Sequence, residues 1–297
     1  MRRNYGSIQK CEEIPVQFPP QHQDIHPGLQ YVMDPQPISE VKSYKPAGKL
    51  KGKIALITGA DSGIGRAVAI AYAKEGADIA FAYLYEDQDA QVTKQRVEEL
   101  GRKCVAFRGD LGDEEFCQTI VAQTVHHFGK IDILVNNAAM QFVSDSILDI
   151  STAQLHRTFQ SNVFSIFYLT KAALPFMEKG SSIINTSSVV AYRGHEKLID
   201  YSSTKGAVVT FTRSLALSLA GKGIRVNGVA PGPIWTPLIP SSFSAKDVMT
   251  FGYRETEMKR AGQPYELAPA FVYLACSDSS YVTGEMIHVN GGSFVGG

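Results

Sequence analysis

From Lys49 to the C-terminus the chain repeats one cadence: a short unbroken apolar run, then a helical segment that stops at glycine. The runs cover 54–57, 79–83, 104–107, 131–135, 183–185, 225–229 and 286–289. Helical patterning covers 64–75, about 89–100, 113–128, 152–179 and 201–220, with stops at Gly76, Gly101, Gly129, Gly180 and Gly221. Glycine supplies the left-handed residue that closes a helix. Runs without alternation are strands buried on both faces, and strands linked through helices pair in parallel by right-handed crossovers. The cadence therefore predicts one doubly wound α/β domain over 49–297, with about seven parallel strands and helices on both faces. Pro175 is expected to bend the segment 152–179 near its end.

Residues 1–48 follow a different rule. They hold Pro15, Pro19, Pro20, Pro27, Pro35, Pro37 and Pro46, half of the 14 prolines in the chain. Proline lacks the donor that helices and central strands need. The segment reads as an extended arm; the scattered Ile14, Val16, Phe18, Leu29, Tyr31, Val32 and Met33 favour packing on the domain or on a partner subunit over a disordered tail.

Charge excludes several classes. With 29 basic and 29 acidic side chains and no local basic patch, nothing favours nucleic acid or an anionic membrane. No apolar run approaches the ~18 residues of a membrane span. Met1 to Ser7 carries two arginines but no apolar stretch behind them, so no signal peptide is read. Cys11, Cys104, Cys117 and Cys276 lie far apart, which argues against a metal site and for a reducing, cytoplasmic setting. His126-His127 closes a helix, where positive charge is favoured, and is not read as a metal site.

The turn after the first run is Thr58-Gly59-Ala60-Asp61-Ser62-Gly63-Ile64-Gly65. Glycines there allow a tight turn and close approach of a pyrophosphate, which the following helix N-terminus attracts. A dinucleotide site of this kind often carries an acid at the end of the second strand for the ribose hydroxyl. Tyr83 stands there instead, 18 residues beyond Gly65, with no Arg or Lys expected beside it to receive a 2′-phosphate and with Glu86, Asp87 and Asp89 nearby. Acidic neighbours disfavour a 2′-phosphate, so NAD is preferred to NADP.

Tyr201 and Lys205 are spaced i, i+4 at the start of a helix, so phenol and ammonium share one face. Ser188 lies 13 residues earlier, just beyond the fifth strand. A neighbouring ammonium lowers a phenol from its usual value near 10, which suits proton transfer near neutrality. Ser188 could orient the same carbonyl oxygen.

Taken together, these residues resemble the short-chain dehydrogenase/reductase family over about 50–292. Thr58–Gly65 resembles its TGxxxGIG loop. Asn136-Asn137-Ala138-Ala139 resembles its NNAG motif, with Ala139 replacing glycine, and Asp110-Leu111 resembles its adenine-contacting pair. Asn162, Ser188, Tyr201 and Lys205 match its tetrad; Pro231-Gly232 with Ile234 and Thr236 resembles the segment over the nicotinamide. Asn290-Gly291-Gly292 resembles its C-terminal segment. The Pro/Gln-rich arm resembles a subgroup of bacterial stress-associated and plant glucose/ribitol-dehydrogenase-like members. The resemblance implies a Rossmann domain and an NAD(P)-dependent oxidoreductase acting on a small alcohol, aldehyde, ketone or sugar alcohol. It implies Tyr201 as general acid/base, Lys205 holding the nicotinamide ribose, Ser188 on the substrate oxygen, and Asn162 positioning a relay water. The implied cofactor contacts are Gly59, Asp61, Ser62, Gly63, Ile64, Gly65, Tyr83, Asp110, Leu111, Asn137, Ala138, Ala139, Tyr201, Lys205, Pro231, Gly232, Ile234 and Thr236. It also implies a homotetramer paired through the segments 152–179 and 201–220, whose apolar residues include Phe164, Ile166, Phe167, Leu169, Val208, Val209, Phe211, Leu215 and Leu217.

Residues 235–262 mix Trp235, Leu238, Ile239, Phe243, Met249, Phe251, Tyr253 and Met258 with charged residues, and read as a substrate lid, or otherwise as a pair of surface helices. Met140, Gln141, Tyr192 and His195 are secondary substrate-side candidates. No motif indicates a catalytic metal. A nucleotide-binding stress-response scaffold or redox sensor with little turnover is the alternative; the complete tetrad argues against it.

Overall fold

The computed structural model describes residues 14–296, so the segment Met1 to Ser7 and Cys11 lie outside it. Seven strands alternate with helices: β1 (Ile54–Thr58), α1 (Gly63–Lys74), β2 (Asp78–Tyr83), α2 (Asp87–Glu99), β3 (Cys104–Arg108), α3 (Glu114–Phe128), β4 (Ile133–Asn136), α4 (Thr152–Phe159), α5 (Ser165–Ala173), β5 (Ser182–Thr186), α6 (Val190–Arg193), α7 (Ile199–Leu219), β6 (Arg225–Pro231), α8 (Ala245–Val248), α9 (Pro264–Ala275) and β7 (Met286–Val289). All seven strands pair in parallel in the order β3-β2-β1-β4-β5-β6-β7.

Alternate residues of each strand feed two cores. Ala55, Ile57, Ile79, Phe81, Ile133 and Val135 meet α1, α2 and α9 on one face. Leu56, Ala80, Ala82, Leu134 and Ile183 meet α3, α5 and α7 on the other. This is why the runs read as continuous: both parities are buried. The alanines of α1 let α9 approach closely, and Tyr72 donates its hydroxyl to the Phe271 carbonyl across that contact at 3.0 Å. The sequence pattern gave no sign of α9 as a separate helix.

Two helix boundaries differ from expectation. Gly76, Gly101, Gly129 and Gly180 adopt positive φ, but the helix expected to stop at Gly221 continues as a 3-10 turn to Lys222, and Gly223 takes the left-handed position at φ 71°. The segment 152–179 is not one helix. A π turn (Gln160–Phe164) separates α4 from α5, and Pro175 sits in a closing 3-10 turn.

The strand order reverses beside β1, and there the C-terminal ends of β1 and β4 open a crevice, the usual ligand position in such sheets. The region 235–262 (the flap) is turn-rich rather than a pair of helices, with only the short α8. Its Trp235, Ile239, Val248 and Phe251 bury against Phe18 and Met33 of the arm. Phe18 stacks on Trp235 with ring centroids 3.7 Å apart, and Trp235 Nε1 donates to the Pro35 carbonyl at 2.8 Å.

Candidate active site

Two adjoining cavities occupy the crevice, sharing Ile64, Asn137, Ala139, Thr236 and Leu238 in their walls. The first gathers Gly59, Asp61, Ser62, Gly63, Ile64, Tyr83, Asp110, Leu111, Asn137, Ala138, Ala139 and Thr236 from the expected cofactor contacts. The second gathers Ser188, Tyr201, Lys205, Pro231, Gly232 and Ile234. Two expected residues line neither. Gly65 is a packing residue: a Cβ there would stand 2.1 Å from the Gly59 carbonyl, so the helix can sit on its own turn only without a side chain. Asn162 is fully buried behind the site.

The glycine turn is shaped for close approach. Gly59 and Gly63 have φ of 63° and 50°, and a Cβ on Gly63 would press Thr236 at 3.1 Å. Thr58 fixes the neighbouring strand end: its Oγ1 accepts from the Asn137 and Ala138 amides at 2.9 and 3.0 Å. A dinucleotide fits this donor-rich, glycine-lined cradle at a helix N-terminus.

Part of the wall of the first cavity is acidic. Asp61 and Glu86 both line it. Burial, reinforced by Glu86, raises the Asp61 carboxyl to about 7. Burial likewise raises Glu86, whose Oε2 accepts from the Leu84 and Tyr85 amides. The expectation that no cation stands beside Tyr83 is corrected by the sheet. β3 pairs Arg108 with Tyr83, and Asp87 joins them, accepting from the Tyr83 hydroxyl at 2.9 Å and from Arg108 at 2.8 Å. Strand pairing made this contact, and sequence distance hid it. Arg157, also unforeseen, lines the same cavity and holds Asp110 at 2.6 Å.

In the second cavity Ser188, Tyr201 and Lys205 share one wall, and the Ser188 hydroxyl accepts from the Val190 amide at 3.3 Å. Lys205 Nζ lies 5.5 Å from the Tyr201 ring centroid and donates to the Thr186 carbonyl at 2.8 Å. The expected lowering of Tyr201 by its lysine is not seen. Burial pushes the phenol up to about 12, with Ser188 pulling the other way, and burial brings the Lys205 ammonium down to about 7. Desolvation penalises the charged form of each group. Asn162, in the π turn, uses both amide hydrogens: Nδ2 donates to the Met140 carbonyl at 2.8 Å and to Thr204 Oγ1 at 3.1 Å, while Oδ1 accepts from the Met140 amide at 2.8 Å. Its side chain therefore ties the β4 loop to α7.

Of the secondary candidates, Gln141 and His195 line the second cavity, Met140 lines the first, and Tyr192 lines neither, packing instead on His288. Gln141 Nε2 is buried with no hydrogen-bond partner among the described residues. Arg193 and Glu255, not singled out from sequence, complete the polar part of that wall.

Residues 59–293 match the family profile described as enoyl-(acyl carrier protein) reductase. The chain belongs to the short-chain dehydrogenase/reductase family. It is 55% identical to general stress protein 39 of Bacillus subtilis, over 95% of this chain and 98% of that protein. It is 51% identical to the glucose and ribitol dehydrogenase of Daucus carota, over 95% and 98% of the two chains. It is 53% identical to the chloroplastic NADPH-dependent aldehyde reductase 1 of Arabidopsis thaliana, over 93% and 98%. Among solved structures, a Burkholderia cenocepacia short-chain dehydrogenase in complex with NADP matches at 29% identity and a TM-score of 0.77, over 82% of this chain and 99% of that one. These relationships make the chain an NAD(P)-dependent oxidoreductase of the dehydrogenase/reductase type acting on CH–OH groups. Nearly the whole Burkholderia chain is thus matched by only part of this one, whereas the curated relatives run through almost all of it. No helix among the described residues is long and apolar enough to cross a membrane.

Proposed function

We propose that the protein interconverts a small polyhydroxylated aldehyde or ketone and its alcohol, with Tyr201 as general acid/base. The observation that carries the reading is the gathering of Ser188, Tyr201 and Lys205 on the wall of a cavity that adjoins the glycine-turn cavity. When bound, the nicotinamide supplies or accepts the hydride. In the reducing direction Ser188 donates to the substrate carbonyl oxygen and Tyr201 delivers its hydroxyl proton to that oxygen. Keeping the phenol neutral, as burial does, suits this acid role. Lys205, near its midpoint at neutrality, is poised to return a proton to Tyr201. With its side chain committed, Asn162 can serve a water relay only through its remaining oxygen lone pair or main chain.

Polar wall residues support the substrate class. The free Gln141 Nε2 offers a donor to a substrate hydroxyl, and Glu255, His195 and Arg193 add further partners. The names of the carrot and Arabidopsis relatives point the same way. The acidic wall of Asp61 and Glu86 favours NAD; Arg108, and the NADPH dependence in one relative's name, favour NADP as the competing reading. The exposed Phe164, Phe167 and Leu217 support pairing into a tetramer; Ile166, Leu169, Val208 and Val209, also expected at that surface, are buried in the chain's own core. The free, buried Cys104, Cys117 and Cys276 support a cytoplasmic setting.

The test is a titration of NADH and NADPH, followed by turnover of aldoses, simple aldehydes and alditols by wild type and Tyr201→Phe. Turnover lost in Tyr201→Phe while the dinucleotide still binds supports the reading. Binding without turnover of any substrate in that panel would instead favour the sensor alternative.

A further inference from the structure

We propose that the N-terminal arm is a working part of the dinucleotide site: Pro27 and Gly28 wall the glycine-turn half of the cavity, and the dinucleotide exchanges only when this span lifts. The inference rests on the reading that this cavity takes a dinucleotide. Pro27 and Gly28 line the cavity together with Asp61, Ser62 and Gly63 of the glycine turn and Pro237 of the region beyond β6.

Three tethers place the span there, each at a different rim. On the β2 side, the Tyr85 hydroxyl donates to the Pro27 carbonyl. On the flap side, Gln23 N donates to the Pro240 carbonyl at 2.8 Å and His26 Nδ1 meets Ser241 Oγ at 3.0 Å. Gly28 lies so close to the flap backbone that a Cβ would stand 2.4 Å from the Pro237 carbonyl. At the turn itself, Gln30 Oε1 accepts from the Gly63 amide at 2.8 Å, while Gln30 N donates to Asp89 at 2.6 Å. Gln30 thus occupies one N–H at the start of α1 and positions the turn that faces the ligand.

The span is built to move as a unit. It belongs to no strand of the sheet and contains only one 3-10 turn (Gln30–Val32). It is flanked by two anchors on the same residue: Phe18 stacks on Trp235, and Pro35 accepts from it. Lifting the residues between the anchors breaks their hydrogen bonds to Tyr85, Pro240, Ser241, Gly63 and Asp89 and leaves both cores of the sheet untouched. Because the same span grips the flap, opening at the dinucleotide end loosens the substrate end as well.

The experiment uses the full chain. Equilibrium titration with NADH and NADPH comes first, since a wild type that binds neither overturns the dinucleotide reading and this inference with it. Release of the reduced dinucleotide is then followed by stopped-flow fluorescence, chased with excess oxidised dinucleotide, in wild type, Tyr85→Phe and Gly28→Ala. Tyr85 is not in the cavity wall, so its variant removes a tether without altering the pocket surface. The expected result is release about fivefold faster in Tyr85→Phe, the factor one net hydrogen bond is worth, and faster still in Gly28→Ala. Hydrogen exchange supplies a readout independent of folding defects: amides of residues 23–33 in the wild type should gain protection when the dinucleotide binds. Unchanged release in the folded variants, or equal exchange of these amides with and without dinucleotide, overturns the proposal.

Discussion

Acid should detach the arm through one histidine. His26 sits where the arm meets the flap, its Nδ1 on Ser241, its ring 4.9 Å from that of Phe142, and its Nε2 buried without a partner. Burial, with some repulsion from Arg157 and against the bond to Ser241, brings the imidazole from 6.5 to about 4. In the unfolded or detached chain it returns to its ordinary value. Between those two values the detached form binds a proton that the docked form does not, so docking weakens as pH falls. The stability is fully present above pH 6.5 and lost as pH drops towards about 4. At 1.36 kcal/mol per unit, the loss is about 3 kcal/mol. Trp235 is the sole tryptophan and is wholly buried against Phe18, so its fluorescence reports unfolding of the core between arm and flap. The assay is urea unfolding followed at Trp235 at neutral pH and near pH 4, in wild type and in His26→Asn, which retains a neutral hydrogen-bonding group. Wild type should lose about 3 kcal/mol more than the variant across that interval. Parallel pH dependences in the two proteins would refute the reasoning, because every other titrating group is common to both.

Further outcomes follow from contacts in the site. Tyr201→Phe should lower kcat by about 10²–10⁴-fold with dinucleotide affinity retained, as measured by titration beside steady-state kinetics. Asn162→Ala leaves the Met140 amide and carbonyl without their buried partner and should cost about 1–3 kcal/mol, read as a lower melting temperature. Gly65→Ala drives a methyl into the Gly59 carbonyl and should cost about 1–3 kcal/mol and weaken dinucleotide binding; unchanged affinity would mean the turn can shift. Glu86→Gln removes an acidic charge from the cavity wall and should move the affinity ratio towards NADPH, whereas an unmoved ratio would point to Arg108 as the deciding group.

By itself the sequence determined the parts governed by short-range rules. Continuous apolar runs, glycine stops and the glycine turn after β1 are local consequences of burial and backbone freedom, and they yielded the strands and their parallel pairing. The i, i+4 spacing of Tyr201 and Lys205 likewise needs only one helix. Tertiary structure decided whatever depends on residues distant in the chain. Arg108 reaches Tyr83 because β3 pairs with β2 in one particular register. Asn162 sits in a π turn with its side chain bonded to Met140 and Thr204 on two other elements, which no helical periodicity encodes. Tyr201 and Lys205 have shifted proton affinities in the opposite sense from their pairwise attraction, because desolvation depends on how completely the surrounding fold excludes water. Pro27 and Gly28 carry no local mark of a ligand wall; they become one only because Trp235, some 200 residues away, anchors the arm across the cavity.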